Sequence, residues 1–222
     1  MRKIQHFELQ PKKWPKQARS KATFSALVEA CALILPVNGY AGTTTNHIAE
    51  TAGVGISSLY EYFPGKDAII AQVAEERGAS ILMKFAVQAQ AIWGAPPSQL
   101  MERWLFAIYE VLQQEEPMLR VFTYEIPYSV ELLKRFQIFD KLMMFSTCLE
   151  SGAMSVLPQR QSPASMYLIT TTVSHTLIQL VLAPPPGIPP REVIQELAQR
   201  MDHWVRGAAV EVRTNVATPE PA

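Results

Sequence analysis

The sequence predicts an all-α protein of about nine helices, and three observations carry that prediction. Nearly every stretch between prolines and glycines repeats its apolar residues at helical spacing. No run alternates apolar and polar residues as a half-buried strand does, and no Asn-Gly hairpin signal occurs. Apolar residues make up 48% of the chain and charged residues 18%, which suits a packed core and argues against disorder. At 222 residues there is room for one or two domains without disulfide staples. The two cysteines, Cys31 and Cys148, lie far apart, which excludes a zinc ribbon or a CxxC redox pair and fits a reducing compartment.

Residues 1–18, interrupted by Pro11 and Pro15, read as a flexible basic arm. Helix 1 is expected from Ser20 to Leu35, with Phe24, Leu27, Val28, Cys31 and Leu35 on one face and Pro36 ending it. A short helix from Thr45 to Ala52 follows, then Gly53-Val54-Gly55, then a third helix to Phe63, stopped by Pro64-Gly65. Longer helices are expected at 66–92, 98–114, 117–126, 129–150, 163–182 and 190–213. Their boundaries come from Gly94 with Pro96-Pro97, from Pro117, Pro127, the segment Gly152 to Pro158, and the loop Pro184 to Pro190. Ser162-Pro163 reads as an N-cap followed by proline at the first helical position, where its missing N–H is harmless. Residues 214–222, with Pro219 and Pro221, read as a disordered tail.

The formal net charge is zero, but it is unevenly spread. Residues 1–66 hold eight Lys/Arg against four acids, whereas 67–222 hold twelve against sixteen. A basic end joined to an acidic body suggests a polyanion-binding module fused to a domain of another kind. Phe24–Val37 resembles the apolar part of an export signal, but it contains Glu29 and follows a long, proline-broken lead-in. Met166–Ala183 has no charge, yet Thr170, Thr171, Thr172, Ser174, His175, Thr176 and Gln179 make insertion in a bilayer unfavourable. The expectation is a cytoplasmic protein without a membrane partner. The same uncharged run, with Leu168, Ile169, Val173, Leu177, Ile178 and Leu180, points to a homodimer through the last two long helices, because a monomer would leave a large apolar patch in water.

The stretch TTNHIAETAGVGISSLYEYFPGK, residues 44–66, places a two-turn helix, a glycine-containing turn and a second short helix in succession, the helix-turn-helix arrangement. Ile48 and Ala49 are expected to face inward, Gly53 to supply the left-handed residue of the turn, and Val54 and Leu59 to fill the space against helix 1. The segment 39–70, preceded by ARSKATFSALVEACALIL at 18–35, resembles the tetracycline-repressor (TetR) family of bacterial transcriptional regulators. The resemblance rests on IAxxAGV, LYxYF and the lysine that begins the next helix; Gly55 and Ser57 depart from its usual Ser and Gly or Ala. It implies a DNA-binding domain at 19–66 and a helical effector-binding and dimerisation domain at 67–213.

In helix-turn-helix docking the second helix of the motif enters the major groove by its N-terminal end. Ile56, Ser57, Ser58 and Tyr60 occupy that end, and Asn46 on the preceding helix is the nearest side chain suited to adenine. Thr44, Tyr60, Tyr62 and Lys66 match positions that hold the phosphate backbone in the resembled family. The alternatives are core packing for the tyrosines and plain surface for the serines.

No Glu-x-x-His pair, nucleophile elbow, phosphate-binding glycine loop or dinucleotide fingerprint occurs, so no enzyme, cofactor or metal is expected. The resemblance places an effector cavity among helices 4–7, and Trp104, Phe106, Tyr109, Phe122, Phe139 and Met143 are candidate lining residues for a small apolar molecule. The reading is a homodimeric transcriptional repressor that binds a palindromic operator on double-stranded DNA and is released by such an effector. The alternative is a DNA-binding protein of the same fold acting architecturally or through a protein partner, with no small effector.

Overall fold

The computed structural model describes residues 7–92, 95–135 and 162–214. Those residues form nine helices and no strand: α1 (Ala18–Gly42), α2 (Thr45–Thr51), α3 (Ile56–Tyr62), α4 (Lys66–Ala91), α5 (Pro97–Gln114), α6 (Glu116–Tyr124), α7 (Ser129–Arg135), α8 (Pro163–Leu182) and α9 (Pro190–Thr214). The helix expected at 129–150 is described only to Arg135; its remainder, the break at 152–158 and the tail from 215 lie outside the described residues.

Local punctuation acts as expected at most boundaries. Ser162 caps α8, its hydroxyl oxygen accepting from the Ser165 N–H at 3.1 Å. Pro97, Pro163 and Pro190 each open a helix. Helix 1 is the exception, because it runs through Pro36. A proline there removes the hydrogen bond to the Ala32 carbonyl, but Ala32 and Pro36 are both half-buried, within reach of water that can serve the orphaned oxygen. The helical path is interrupted instead at Gly39 (φ 67°, ψ 177°), a conformation open essentially to glycine alone, before a last turn to Gly42. Buried Thr43 closes that turn, its hydroxyl donating to the Gly39 carbonyl at 2.7 Å.

The chain packs as two compact units. The first comprises residues 1–81 and 115–137, so α6 and α7 pack with the N-terminal helices, and a packing boundary falls within α4. Its core is built on Leu27, Leu35, Ile48, Leu59, Phe63 and Ile69, none of which keeps accessible surface. Phe63 stacks on Phe24 with ring centroids 4.7 Å apart, and α6 lies against α1.

The second unit comprises residues 82–114 and 138–222. Here α5 packs against both α8 and α9, burying Leu105, Leu177 and Ile194. Gln195 donates to the Glu102 carboxylate at 2.9 Å, and Phe85 meets Trp104 edge-on. The apolar run of α8 is largely consumed inside the chain, since Ile169, Leu177 and Leu180 are buried. Leu168 alone of that set is exposed, at 47%, with Val173 and Ile178 half-buried, so the exposed patch is smaller than the sequence implies. Both α1 and α8 are long and apolar enough to cross a membrane by length and composition. In this fold each packs a face of buried residues against neighbouring helices.

Candidate nucleic-acid interface

The helix-turn-helix is assembled from local rules. Thr44, in extended conformation, caps α2, its hydroxyl oxygen accepting from the His47 N–H at 3.2 Å. Gly53 takes φ 66° with open space around it, and the Gly53 and Val54 N–H groups close the turn on the Glu50 and Ala49 carbonyls, each at 3.0 Å. Gly55 then opens α3 without a side-chain cap, so its carbonyl alone starts the helix, accepting from Ser58 and Leu59. Ile48 and Ala49 face inward as expected, and Leu59 is fully buried, whereas Val54 is only half-buried.

Because α3 is a single short helix, its spacing divides its side chains between two faces. Leu59, Tyr62 and Phe63 stand at i, i+3 and i+4 and point into the core. Ile56 (39% accessible), Ser57 and Tyr60 (44%) are exposed, with Ser58 half-buried. Thr44 and Asn46 on α2 are exposed as well. The Tyr60 hydroxyl shares a hydrogen bond with Thr45 Oγ1 at 3.2 Å, joining the exposed face of α3 to the start of α2. The result is a surface of hydroxyls, one amide and one branched apolar side chain, without a charged group on α3 except Glu61.

Tyr62 does not belong to that surface. It is only 6% accessible, lies edge-on to Phe24 at 6.0 Å, and is covered by the Lys13 ammonium 5.4 Å from its ring centre. Its ring is therefore core packing. The reason is geometric: residues two apart on a helix point about 200° from each other, so Tyr60 and Tyr62 cannot share one face. Lys66 is half-buried, donating to the Tyr40 carbonyl at 2.6 Å with its ammonium 4.0 Å from the Tyr40 ring centre. An ammonium has three donors, so that bond leaves others for an anion.

The basic arm is also corrected. From Phe7 to Gln17 it is docked rather than free: Leu9 is buried, Phe7 packs on Tyr128 at 4.7 Å, and Trp14 packs on Phe24 at 5.6 Å. The Lys12 N–H donates to the Tyr62 carbonyl at 2.7 Å, the Lys12 ammonium donates to the Tyr60 carbonyl at 3.1 Å, and Lys13 pairs with Glu61 at 3.7 Å. Sequence reasoning missed Thr45 and Lys12 as partners of Tyr60. The position of Thr45 at the start of α2 was a usable signal for the first, while nothing local announces the second.

Behind this surface lies a polar cluster. The Tyr40 and Tyr128 hydroxyls both donate to Asp67 Oδ1 at 2.9 Å, and the Tyr40 N–H donates to Glu125 at 2.8 Å. Burial, followed by the hydrogen bond to Asp67 and its charge, raises the Tyr40 hydroxyl to about 12. Burial and then the Asp67 charge push the Tyr128 hydroxyl higher still. Burial likewise raises the Cys31 thiol to about 12, against a smaller opposing pull from Lys66, so it stays a protonated core group at neutral pH.

Of the candidate effector-lining residues, Trp104 is a buried core residue of the second unit, and Phe106 and Tyr109 are half-buried on the same helix, α5. Phe122 is half-buried on α6 in the first unit. Phe139 and Met143, and with them Cys148, lie outside the described residues.

Residues 27–73 match the family model of bacterial regulatory proteins, tetR family. No curated protein matches the sequence significantly. Among solved structures, a candidate TetR-family transcriptional regulator of Mesorhizobium loti superposes with a TM-score of 0.61 at 15% identity, over 86% of this chain and 96% of the other. The transcriptional regulator FadR of Bacillus subtilis, solved in complex with stearoyl-CoA, gives 0.56 at 12% identity, over 79% and 96%. RolR, solved with its ligand resorcinol, gives 0.54 at 18% identity, over 92% and 97%. The fold is thus that of TetR-family transcriptional regulators, with the helix-turn-helix domain at the N-terminus.

Proposed function

We propose, from a tetR-family helix-turn-helix segment set in a fold shared with that family's regulators, that this chain is a non-enzymatic, cytoplasmic, ligand-responsive transcriptional repressor. The observation that carries the reading is the exposed face formed by Thr44, Asn46, Ile56, Ser57 and Tyr60, held by a fully buried back at Ile48, Leu59 and Phe63. Short side chains at the start of α3 let its backbone approach base edges closely: serine hydroxyls serve donor or acceptor edges, and Ile56 suits a thymine methyl. Thr44, the Tyr60 hydroxyl, Lys66 and the basic side chains of the N-terminal segment other than Lys12 supply phosphate contacts, which set register and make affinity fall with salt.

The operator is read as a palindrome by a homodimer formed through α8 and α9, where Tyr167 and Leu168 are exposed on the isolated chain. The effector is a small molecule with an apolar or aromatic body, bound in the proposed effector domain, residues 67–213, of which α6 and α7 pack in the first compact unit. Supporting this are the Met and aromatic content of that domain and the stearoyl-CoA and resorcinol carried by two proteins of the same fold. Binding-site selection from random duplexes tests the reading: a two-fold symmetric sequence is expected, and selection of none would make the architectural alternative the better account. Sedimentation at micromolar concentration should show a dimer. Screening a library of fatty acyl and phenolic compounds against the operator complex should find molecules that release it.

A further inference from the structure

The N-terminal segment does more than carry charge. We propose that Phe7–Gln17 is a strap that fixes the orientation of the DNA-reading helix, with Lys12 as its positioning residue. The inference rests on α3 being the reading helix. A helix ends with carbonyls that have no partner inside it, and α3 is short enough that its last turn is nearly half its length. Lys12 meets two of those carbonyls at once, Tyr62 O through its backbone N–H and Tyr60 O through its ammonium. A cation at this end also opposes the partial negative charge of the helix C-terminus. Lys13 adds an ion pair to Glu61, on the same turn.

The strap is anchored independently of α3. Leu9 is buried, Phe7 rests on Tyr128 and Trp14 on Phe24, so the grip is transmitted to α1 and to the segment before α7. The front of α3 is tied by Tyr60 to Thr45, and its rear by Lys12 to the strap. With its last turn held from two sides, α3 presents Ile56 and Ser57, one turn earlier, in one orientation, and sequence is read by side chains placed in this way against base edges.

The test uses the full chain, the operator selected by the wild type, and a random duplex of equal length. Exchange of the Lys12 backbone amide in the free wild-type protein is measured first; protection is expected, and exchange at the rate of an unstructured peptide would overturn the docking itself. K12M keeps the stem and removes the ammonium, while K12R keeps the charge; Lys12 is exposed, so both should melt with the wild type. K12M should lower the ratio of operator to random-duplex affinity by about two- to five-fold and speed amide exchange in α3, with K12R near wild type and the salt dependence unchanged. An unaltered ratio in K12M overturns the proposal. So does an equal weakening on both duplexes with a salt slope shallower by roughly 0.9 for each phosphate no longer neutralised, which marks Lys12 as a phosphate ligand instead. Failure of the wild type to select any sequence refutes the DNA-reading role and the strap's purpose with it, and is seen without any variant.

Discussion

The two sides of the N-terminal domain obey different rules. On the front, α2 and α3 present Thr44, Asn46, Ile56, Ser57 and Tyr60 to solvent, and among them only Thr44 and Tyr60 make a side-chain hydrogen bond. At the back, Phe24 stacks on Phe63, and half-buried Tyr40 and Asp67, buried Tyr128 and exposed Glu125 tie α1, α4 and the segment around α6 through short hydrogen bonds. The difference is instructive: side chains left in solvent contribute little to stability, so the rigidity of the front has to be provided from behind it. Substitutions should separate the two sides cleanly.

The largest effect is expected from Phe63→Ala at the back, which empties a fully buried, stacked position and should cost about 3–5 kcal/mol in urea unfolding, abolishing DNA binding only through loss of the fold. Tyr128→Phe removes a buried donor to a carboxylate and should cost about 1.5–3 kcal/mol. Gly39→Ala forces a Cβ against the Glu125 carboxylate at φ 67° and should cost about 1–3 kcal/mol. On the front, Ile56→Ala and Ser57→Ala should change unfolding by no more than about 0.5 kcal/mol. Both should nevertheless alter the base preference recovered in site selection, by about 1 kcal/mol or less for a single hydroxyl. A front variant that unfolds the domain, or a back variant that changes base preference without changing stability, would erase the distinction.

Alkali sharpens the same contrast. An unfolded tyrosine ionises near pH 10, whereas the folded Tyr40 keeps its proton to about 12 and Tyr128 beyond that. Above about pH 10 the unfolded state therefore binds fewer protons than the folded one, and stability falls as pH rises. The contribution is fully present below pH 10. Combining Tyr40→Phe with Tyr128→Phe should flatten this decline in a pH series of unfolding curves.

What was legible in the sequence is what depends on neighbours along the chain. Helix starts at Pro97, Pro163 and Pro190, the Ser162 cap, the left-handed Gly53 and the inward Ile48, Ala49 and Leu59 all follow from a few adjacent residues, and the family match at 27–73 falls on that local motif. The separation of Tyr60 from Tyr62 was also present in the spacing, because their 200° divergence is a property of the helix.

Tertiary structure alone decided the rest. Lys12 reaches Tyr60 across 48 positions, Tyr128 reaches Asp67 across 61, and Tyr40 meets Glu125 across 85. No periodicity encodes such pairs, since each depends on how whole helices cross. Pro36 is carried within α1, where half-buried Ala32 bears the orphaned carbonyl, and the proline-broken, lysine-bearing segment 7–17 is docked, with Leu9 buried and Phe7 packed on Tyr128. Composition identified the charge of that segment. Only the burial of Leu9 and the packing of half-buried Phe7 on Tyr128, which are properties of the tertiary fold, determined where the charge is held.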